Sequence, residues 1–229
     1  MDPKVSVIIP AYNEESSIAL VLKDLPQSKL HEIIVVDNAS TDQTAQVAEA
    51  NGARVVHEKR RGYGSACLKG IKELNDPDIV VFLDGDYSDY PEEIKKLTKA
   101  IIEDEQDFVL GSRMILKESR SALLPQARFG NQLAVFLIKM LFDHEFTDLG
   151  PFRAIRYSSL MEIGMRDTNF GWTVEMQIKA VQKGLRIQEI PVRYRERVGV
   201  SKITGTVSGT IKAGVKIIYT IFKYLIKSH

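Results

Sequence analysis

Short apolar runs alternate with amphipathic segments through the first half of the chain. The runs have the length and the β-branched, aromatic composition of buried strands, and they cover residues 5–9, 32–36, 54–57, 79–83 and 108–110. Segments with helical spacing lie between them, at residues 16–25, 42–50, 64–74 and 91–102. This alternation is typical of β-α-β units, and it predicts an α/β fold with a mostly parallel sheet of about five strands flanked by helices.

The fourth run ends abruptly in two carboxylates. Residues 79–83 show no polar alternation, which is typical of a strand covered on both faces, and Asp84, Gly85 and Asp86 follow at its carboxyl end. Ligands bind at that edge of open α/β sheets. Two hard oxygen donors one residue apart suit a divalent cation that carries phosphates, so we predict the centre of the site here.

The second half of the chain changes in character. Residues 115–127 are polar, mixed in charge and without a clear period, which predicts a mobile loop. Residues 133–142 are almost wholly apolar, and they fit either a core helix or a helix that lies in a membrane interface. A strand-like segment at 151–155, a short helix, a helix at 172–183 and a last strand at 186–192 follow.

The tail at 205–227 is the most strongly patterned segment. Its apolar positions fall within a sector of roughly 80° at ~100° per residue, and they are Val207, Ile211, Val215, Ile218, Phe222 and Leu225. Another side carries Lys212, Lys216, Lys223 and Lys227. We predict a basic amphipathic helix whose apolar face packs on its own domain, on a second copy or membrane partner subunit, or on an anionic membrane.

The overall charge is close to neutral. Lys and Arg number 31 against 30 Asp and Glu, so no global field attracts nucleic acid, and we predict no nucleic-acid partner. The single cysteine, Cys67, cannot form an internal disulfide, which fits a reducing compartment. With neither a secretory signal nor an apolar stretch of ~18 residues, we expect a cytoplasmic protein, free or peripheral on the cytoplasmic face of a membrane.

The ends of the first two strands carry aromatic and acidic side chains instead of a glycine-rich loop. A dinucleotide-binding fold requires G-x-G-x-x-G after the first strand, and a P-loop requires G-x-x-x-x-G-K-[ST]; neither pattern is present. Pro10, Tyr12 and Glu14 suit packing against a nucleoside and hydrogen bonding to it. Asp37 is placed to accept from a base N–H or a ribose hydroxyl, although it also fits an ordinary turn or helix cap.

As an ordered set, these motifs resemble glycosyltransferase family 2, which has the Rossmann-like GT-A fold. The resemblance rests on PAYNE at 10–14, VVDNASTDQT at 35–44, the D-x-D element at 84–86 and GSR at 111–113. The part from 147 to 202 is most similar to the branch that transfers sugars to polyprenyl or dolichyl phosphate.

The resemblance implies a division of the chain. A single GT-A catalytic domain would cover 1–204, with a nucleotide-binding half at 1–112 and an acceptor half at 113–204. The basic amphipathic helix at 205–229 would follow this domain.

The resemblance also implies the chemistry, which is an inverting transfer of a hexose from a nucleotide-diphosphate sugar that depends on Mg²⁺ or Mn²⁺. Asp37 would bind the nucleobase, Asp84 would contact ribose and metal, and Asp86 would ligate the metal that bridges the donor phosphates. UDP-sugars are favoured over GDP-sugars because uridine donors are common in the family. The implied nucleotide-sugar site is Pro10, Tyr12, Glu14, Asp37, Asp84, Gly85, Asp86, Arg113 and Lys202.

Basic residues are candidates for pairing with phosphates. Arg113 is assigned to the donor, Arg153 to the acceptor, and Lys202 to both, because a guanidinium binds two oxygens at once and an ammonium acts as a point charge. Lys202 lies in the turn GVSKITG, which is placed to close over a diphosphate.

The need for a general base depends on the acceptor. A phosphate monoester has a second pKa of about 6 and is already largely ionised near neutral pH, so a base is optional. A hydroxyl acceptor requires one, and Asp148 is the first candidate and Glu175 the second. Glu175 also fits a first-turn acid that is favoured by the helix dipole. With the metal-binding Asp86, these two are the predicted catalytic residues.

The sequence departs from the family in two ways. It lacks the Q-x-x-R-W element of processive synthases, which favours a single transfer. The tail at 205–229 also has no apolar stretch long enough to span a membrane, so we expect no transmembrane helix after the domain. A soluble hydroxyl acceptor, or a non-catalytic nucleotide-sugar-binding subunit of a membrane complex, are therefore the alternatives to a lipid-phosphate acceptor, and a homodimer is also open.

Overall fold

The structure is a computed structural model that describes residues 2–199 and 207–226. Within these ranges, seven strands form one sheet in the order β3-β2-β1-β4-β6-β5-β7. The strands are β1 (Val5–Ala11), β2 (Glu32–Asp37), β3 (Arg54–His57), β4 (Ile79–Phe82), β5 (Phe108–Ser112), β6 (Arg153–Arg156) and β7 (Ile187–Pro191). The α/β fold predicted from the strand-helix alternation is confirmed.

Helices cover both faces of this sheet. They are α1 (Ile18–Asp24), α2 (Thr44–Ala50), α3 (Tyr63–Lys72), α4 (Ile94–Glu103), α5 (Lys117–Ala122), α6 (Pro125–Phe142), α7 (Tyr157–Ile163), α8 (Trp172–Gln182) and α9 (Val207–Ile226). Short 3₁₀ turns lie at Gln27–Lys29 and Pro91–Glu93.

The sheet is mostly parallel. β1 runs parallel to β2 and β4, β2 to β3, and β5 to β7, whereas β6 is antiparallel to both β4 and β5. The carboxyl ends of β1, β2 and β4 therefore meet at one edge, where Ala11 lies opposite Asp37 in the register of β1 and β2. This edge is the position at which the sequence placed the site.

Strand residues alternate between two core layers. In β1, Ile8 is buried with α3, α6, α8 and α9, while Val7 and Ile9 are buried with α1, α2 and α4 on the opposite face. A strand that is covered on both faces needs apolar side chains at every position, which explains the continuous runs in the sequence.

The loop predicted at 115–127 is wrong. That stretch contains α5 and the first turn of α6, which begins at Pro125. Proline suits the first position of a helix because its φ is already helical. It lacks a backbone N–H, but an N–H at this position would have no acceptor within the helix. Long-range contacts also order the stretch, since Ser119 Oγ donates to the carbonyl of Val192 at 3.0 Å.

The basic amphipathic helix predicted in the tail is confirmed as α9. It packs against α6 and α8, and it buries Ile221 and Tyr224 in the core layer that contains Ile8 of β1. The predicted boundary at 204 falls outside the described residues. None of the helices within residues 2–199 and 207–226 combines the length and the hydropathy that a bilayer-spanning helix requires.

Candidate active site

A cleft of ≈ 290 Å³ opens at the shared carboxyl edge of β1, β2 and β4. Its walls combine the D-x-D element with residues from the first strand end, the turn into α3 and the segment before α8. The lining includes Pro10, Tyr12, Glu14, Asn38, Arg61, Gly62, Tyr63, Asp84, Gly85, Asp86, Asn169, Phe170 and Arg197. Six of the nine residues predicted for the nucleotide-sugar site are therefore brought together here.

Asp84 lies at the base of this cleft. Its Oδ1 atom is buried, and among the described residues it accepts no hydrogen bond. Burial, reinforced by the negative charge of Asp86, raises the pKa of Asp84 to about 7. An adjacent cation would compensate both the lost hydration and the repulsion between the two carboxylates.

Asp86 is held from two sides. Its Oδ1 atom accepts from the backbone N–H of Ser88 at 2.9 Å and from its hydroxyl at 2.6 Å. Its Oδ2 atom lies 3.3 Å from Nη1 of Arg197, whose Nη2 donates to Oε1 of Glu14 at 2.7 Å. Arg197 thus braces the first strand end to the D-x-D element across the cleft.

The donor set fits a hard divalent cation such as Mg²⁺ or Mn²⁺. Asp84 and Asp86 offer carboxylate oxygens, one of which is buried without a donor, and a small Gly85 separates them. In residues 2–199 and 207–226, no group of three His, Cys, Asp or Glu side chains is arranged to hold a metal. A cation here would take its remaining ligands from phosphate oxygens and water, as magnesium commonly does.

Polar and aromatic groups form the side of the cleft near β2. The guanidinium of Arg61 stacks 3.1 Å from the ring centroid of Tyr12, which gives a flat, positively charged wall. The amide of Asn38 is fixed because its Nδ2 donates to the carbonyl oxygens of Glu58 and Arg60. This wall is suited to a planar, hydrogen-bonding base.

Asp37 sits behind this wall, at the end of β2. Its Oδ1 atom accepts from the N–H of Ser40 at 3.1 Å, and its Oδ2 atom lies 3.0 Å from Nδ1 of His57. The first contact is the turn-capping role considered for this residue, and Asp37 itself lies outside the cleft lining, next to Asn38. Its predicted contact with the base stays a prediction.

Arg113 and Asp148 form a closed ion pair beyond the end of β5. Nε of Arg113 donates to Oδ2 of Asp148 at 2.7 Å and Nη2 donates to Oδ1 at 2.8 Å, while the backbone N–H of Arg113 also donates to Oδ2. Asp148 is fully buried and lies outside the cleft lining. The ion pair therefore holds the loop after β5 in place, and the hydrogen bonds from Arg113 occupy both carboxylate oxygens of Asp148.

Glu175 is also buried and saturated. It accepts from the backbone N–H groups of Arg166 and Asp167, and from the hydroxyl of Tyr224 on α9 at 2.5 Å. Its Oε1 atom also lies 2.7 Å from Nζ of Lys179. Glu175 thus joins α8, α9 and the loop between α7 and α8.

The predicted phosphate ligand Arg153 lies outside the cleft lining. Arg153 is fully buried, and its guanidinium donates to the carbonyl oxygens of Leu149, Gly150 and Thr173. Burial lowers its pKa to about 10. Lys202 falls outside the described residues.

Several lining residues, chiefly Arg197, were not predicted from the sequence. The segment 192–199 alternates Arg193, Arg195 and Arg197, and these side chains reach Glu93, the carbonyl of Tyr87 and Glu14 in turn. We call 192–199 the arginine strap. The alternation of arginines in a strand-like segment is a visible signal, although it does not reveal which of the three reaches the cleft.

The comparison with known families agrees with this site. The model described as Glycosyl transferase family 2 matches residues 6–164, which is more than half of the chain. The chain belongs to glycosyltransferase family 2. The family predicted from the motifs is thereby confirmed, and the chain is an enzyme of the glycosyltransferase class.

Two curated relatives span most of this glycosyltransferase. An uncharacterised glycosyltransferase of Mycobacterium tuberculosis is 34% identical over 214 residues, which cover 91% of this chain and 94% of the relative. A dolichyl-phosphate hexose transferase of Haloferax volcanii is 32% identical over 205 residues, which cover 87% of this chain and 86% of the relative.

Solved structures share the fold of the glycosyltransferase. Glucosyl-3-phosphoglycerate synthase from Mycobacterium tuberculosis, in complex with Mn²⁺, UDP and phosphoglyceric acid, matches it with a TM-score of 0.79 and 22% identity. The match covers 98% of this chain and 79% of that chain. This likeness confirms the GT-A architecture.

Proposed function

We propose that the glycosyltransferase moves a hexose, with inversion, from a nucleotide-diphosphate sugar to a polyprenyl or dolichyl phosphate. The acidic pair in the cleft carries the donor half of this proposal. Asp84 has a buried oxygen without a donor, and Asp86 follows two residues later at the same sheet edge. Bound there, Mg²⁺ or Mn²⁺ would neutralise charge on the departing nucleoside diphosphate.

The chain's own residues would orient the donor. The wall made by Tyr12, Arg61 and Asn38 suits the nucleoside, and Arg197 lies beside Asp86 where a diphosphate would approach. UDP is favoured because a fold relative was crystallised with UDP and Mn²⁺. A GDP-sugar donor is the second choice.

The burial of both candidate bases supports a phosphate acceptor. Asp148 is closed by Arg113, and Glu175 is closed by four donors on three elements. A hydroxyl nucleophile needs a base within reach, whereas a phosphate monoester is already ionised. Its oxygen attacks the anomeric carbon as the bond to the diphosphate breaks, and a single displacement of this kind inverts that carbon.

The name of one relative also supports a lipid-phosphate acceptor. The Haloferax volcanii relative is named for transfer of a hexose to dolichyl phosphate. A lipid acceptor would place the enzyme at a membrane surface, and we propose a cytoplasmic, peripheral position there. A soluble acceptor is the alternative, since a fold relative is named for the product glucosyl-3-phosphoglycerate.

A transfer assay separates the two acceptors. The purified enzyme is given UDP- or GDP-hexose and Mn²⁺ with a short-chain polyprenyl phosphate, with the matching polyprenol, or with phosphoglyceric acid. We expect labelled sugar in the lipid extract only with the phosphate. Equal use of the polyprenol, or preferred use of phosphoglyceric acid, would contradict the lipid-phosphate proposal.

A further inference from the structure

Helix α6 presents an apolar stripe to solvent. Its inward face buries Ala134 and Ile138, yet large apolar side chains on the other side are between 37% and 69% exposed. They fall within a sector of about 60° at ~100° per residue, and they are Phe129, Leu133, Phe136 and Met140. A helix that only packs on its own core has no need of this second apolar side.

Helix α9 carries a matching stripe. Ile221 and Tyr224 are buried against the domain, but a second apolar sector of the helix is between 44% and 76% exposed. Its members are Ile211, Val215, Tyr219, Phe222 and Ile226. Because α6 and α9 pack against each other and bury their other sides in the same core layer, the two stripes face the same way. We call these nine residues the apolar face.

Positive charge flanks the apolar face without any negative charge on the same helices. α6 contributes Arg128 and Lys139, and α9 contributes Lys212, Lys216 and Lys223, while neither helix contains an Asp or Glu. The two helices therefore carry +5, and since the whole chain carries +1, the rest of it carries −4. Nearby acids pair with Lys139 and Lys216, which leaves the other three cations without such a pair among the described salt bridges.

We propose that the apolar face docks on an anionic lipid surface. Apolar side chains would enter the boundary between headgroups and acyl chains, and the flanking cations would meet the anionic headgroups. A second copy is a poorer occupant, because a two-fold contact through the same face would bring two sets of five cations together.

The apolar face is linked to the cleft by one short loop. Lys216 of α9 lies 2.8 Å from Oδ2 of Asp167, whose Oδ1 atom accepts from the backbone N–H of Asn169 at 2.8 Å. Asn169 and Phe170 line the cleft. Docking would thus bring the cleft close to the lipid surface, although docking itself does not depend on which acceptor is used.

Vesicle flotation tests this docking. The full chain is mixed with phosphatidylcholine vesicles, with or without phosphatidylglycerol. We expect flotation with the anionic vesicles, and a loss of roughly 25-fold in partitioning for K212Q/K223Q, because each near-surface lysine is worth about a fivefold change. Phe136→Glu combined with Val215→Glu should abolish flotation. Matched changes on the opposite face of the sheet, K95Q/K99Q and Ile102→Glu on α4, should leave it unchanged.

Three results would overturn the proposal. The first is that the wild type does not float with anionic vesicles, and the second is that the Phe136→Glu/Val215→Glu variant floats as well as the wild type. The third is that the wild type self-associates in sedimentation without binding vesicles, and that the same variant no longer self-associates. A nucleotide-sugar-dependent rise in melting temperature is measured on every variant to show that it is folded. That control also separates the proposals, since donor binding without flotation would remove the docking surface and leave the donor assignment intact.

Discussion

Buried acidic groups are concentrated beneath the cleft. Asp89 is 1% exposed, and within the described chain neither of its carboxylate oxygens has a hydrogen-bond partner. Burial first, and then the negative charge of Asp84, raise its pKa well above the usual range. A protonated Asp89 is neutral and adds no third negative charge beside Asp84 and Asp86. A cation in the cleft would then have to balance only the charges of Asp84 and Asp86.

Asp89 should make folding stability fall with rising pH. Above about pH 3.9 the unfolded chain ionises this carboxyl while the folded chain keeps its proton, so stability is lost as pH rises towards the folded pKa. Asp89→Asn removes this dependence. The free energy of unfolding of the variant and of the wild type is measured in urea at several pH values. From pH 5 to pH 7, the difference between them should shift in favour of the variant by at most about 1.4 kcal/mol per pH unit. Parallel curves for the two proteins would contradict the buried, protonated state, and Asp104→Asn at the exposed end of α4 is the control.

Arg197 should contribute to donor binding. It joins Glu14 and Asp86 across the cleft, and hydrogen bonds to charged groups contribute about 1.5–3 kcal/mol. We expect Arg197→Ala to weaken nucleotide-sugar affinity at least about tenfold in titration calorimetry. Arg193→Ala on the same arginine strap is the matched control, because that side chain pairs with Glu92 and Glu93. An equal loss of nucleotide-sugar affinity in both variants would mean that Arg197 has no specific role in donor binding and that the arginine strap contributes only to the stability of the domain.

At the scale of elements, α9 is fastened to the domain by polar contacts as well as by its buried side chains. The hydroxyl of Tyr224 donates to Glu175 at 2.5 Å, and Glu175 also holds the loop that leads to Asn169 and Phe170. The acid predicted as a catalytic base therefore has a visible structural function between α8, α9 and this loop.

Loss of this polar contact should destabilise the protein. Tyr224→Phe leaves a fully buried carboxylate short of one donor, which costs about 1–3 kcal/mol. Tyr219→Phe, on the exposed side of the same helix, should stay within about 0.5 kcal/mol. Urea unfolding of the two variants measures the difference, and equal stabilities would show that the hydroxyl of Tyr224 adds nothing.

Local patterns predicted the elements well, and they failed where tertiary contacts decide. The parallel strands can be predicted because strands buried on both faces give continuous apolar runs, and the acidic pair can be predicted because it directly follows such a run. The helical content of 115–127 is not readable, since it depends on packing and on Ser119 reaching Val192. The helical pattern of α9 was predicted correctly, but the sequence did not show that Ile211, Val215 and Phe222 are exposed.

The site shows the same division. Pro10, Tyr12, Glu14 and the D-x-D element lie at strand ends, so topology alone brings them together. The pairing of Arg113 with Asp148 joins residues 35 apart, and Arg197 meets Glu14 across 183 residues. No periodicity encodes such partners, so the sequence could name Asp148 and Arg113 as candidates for the site but could not show that they pair with each other.

At the scale of the whole molecule, the cleft and the apolar face lie on connected parts of one α/β domain. Parallel strands supply a rigid edge for the acidic pair, and α6 and α9 supply an exposed apolar surface one loop away. A transferase that takes a water-soluble donor and a lipid-borne acceptor needs both features close together.

The acidic pair, Asp84 and Asp86, should bind a nucleotide-diphosphate sugar through a divalent cation. Thermal unfolding with UDP- and GDP-hexoses, in Mn²⁺ or in EDTA, tests it most directly on the wild type and on Asp86→Asn. At a donor concentration of about 100 Kd, binding adds about 2.7 kcal/mol, or roughly 5–10 °C in Tm for a chain of this size. We expect that shift for one donor class in the wild type with Mn²⁺, and almost none in EDTA or in Asp86→Asn. The same shift in EDTA, or in the variant, would contradict metal-dependent donor binding by the acidic pair.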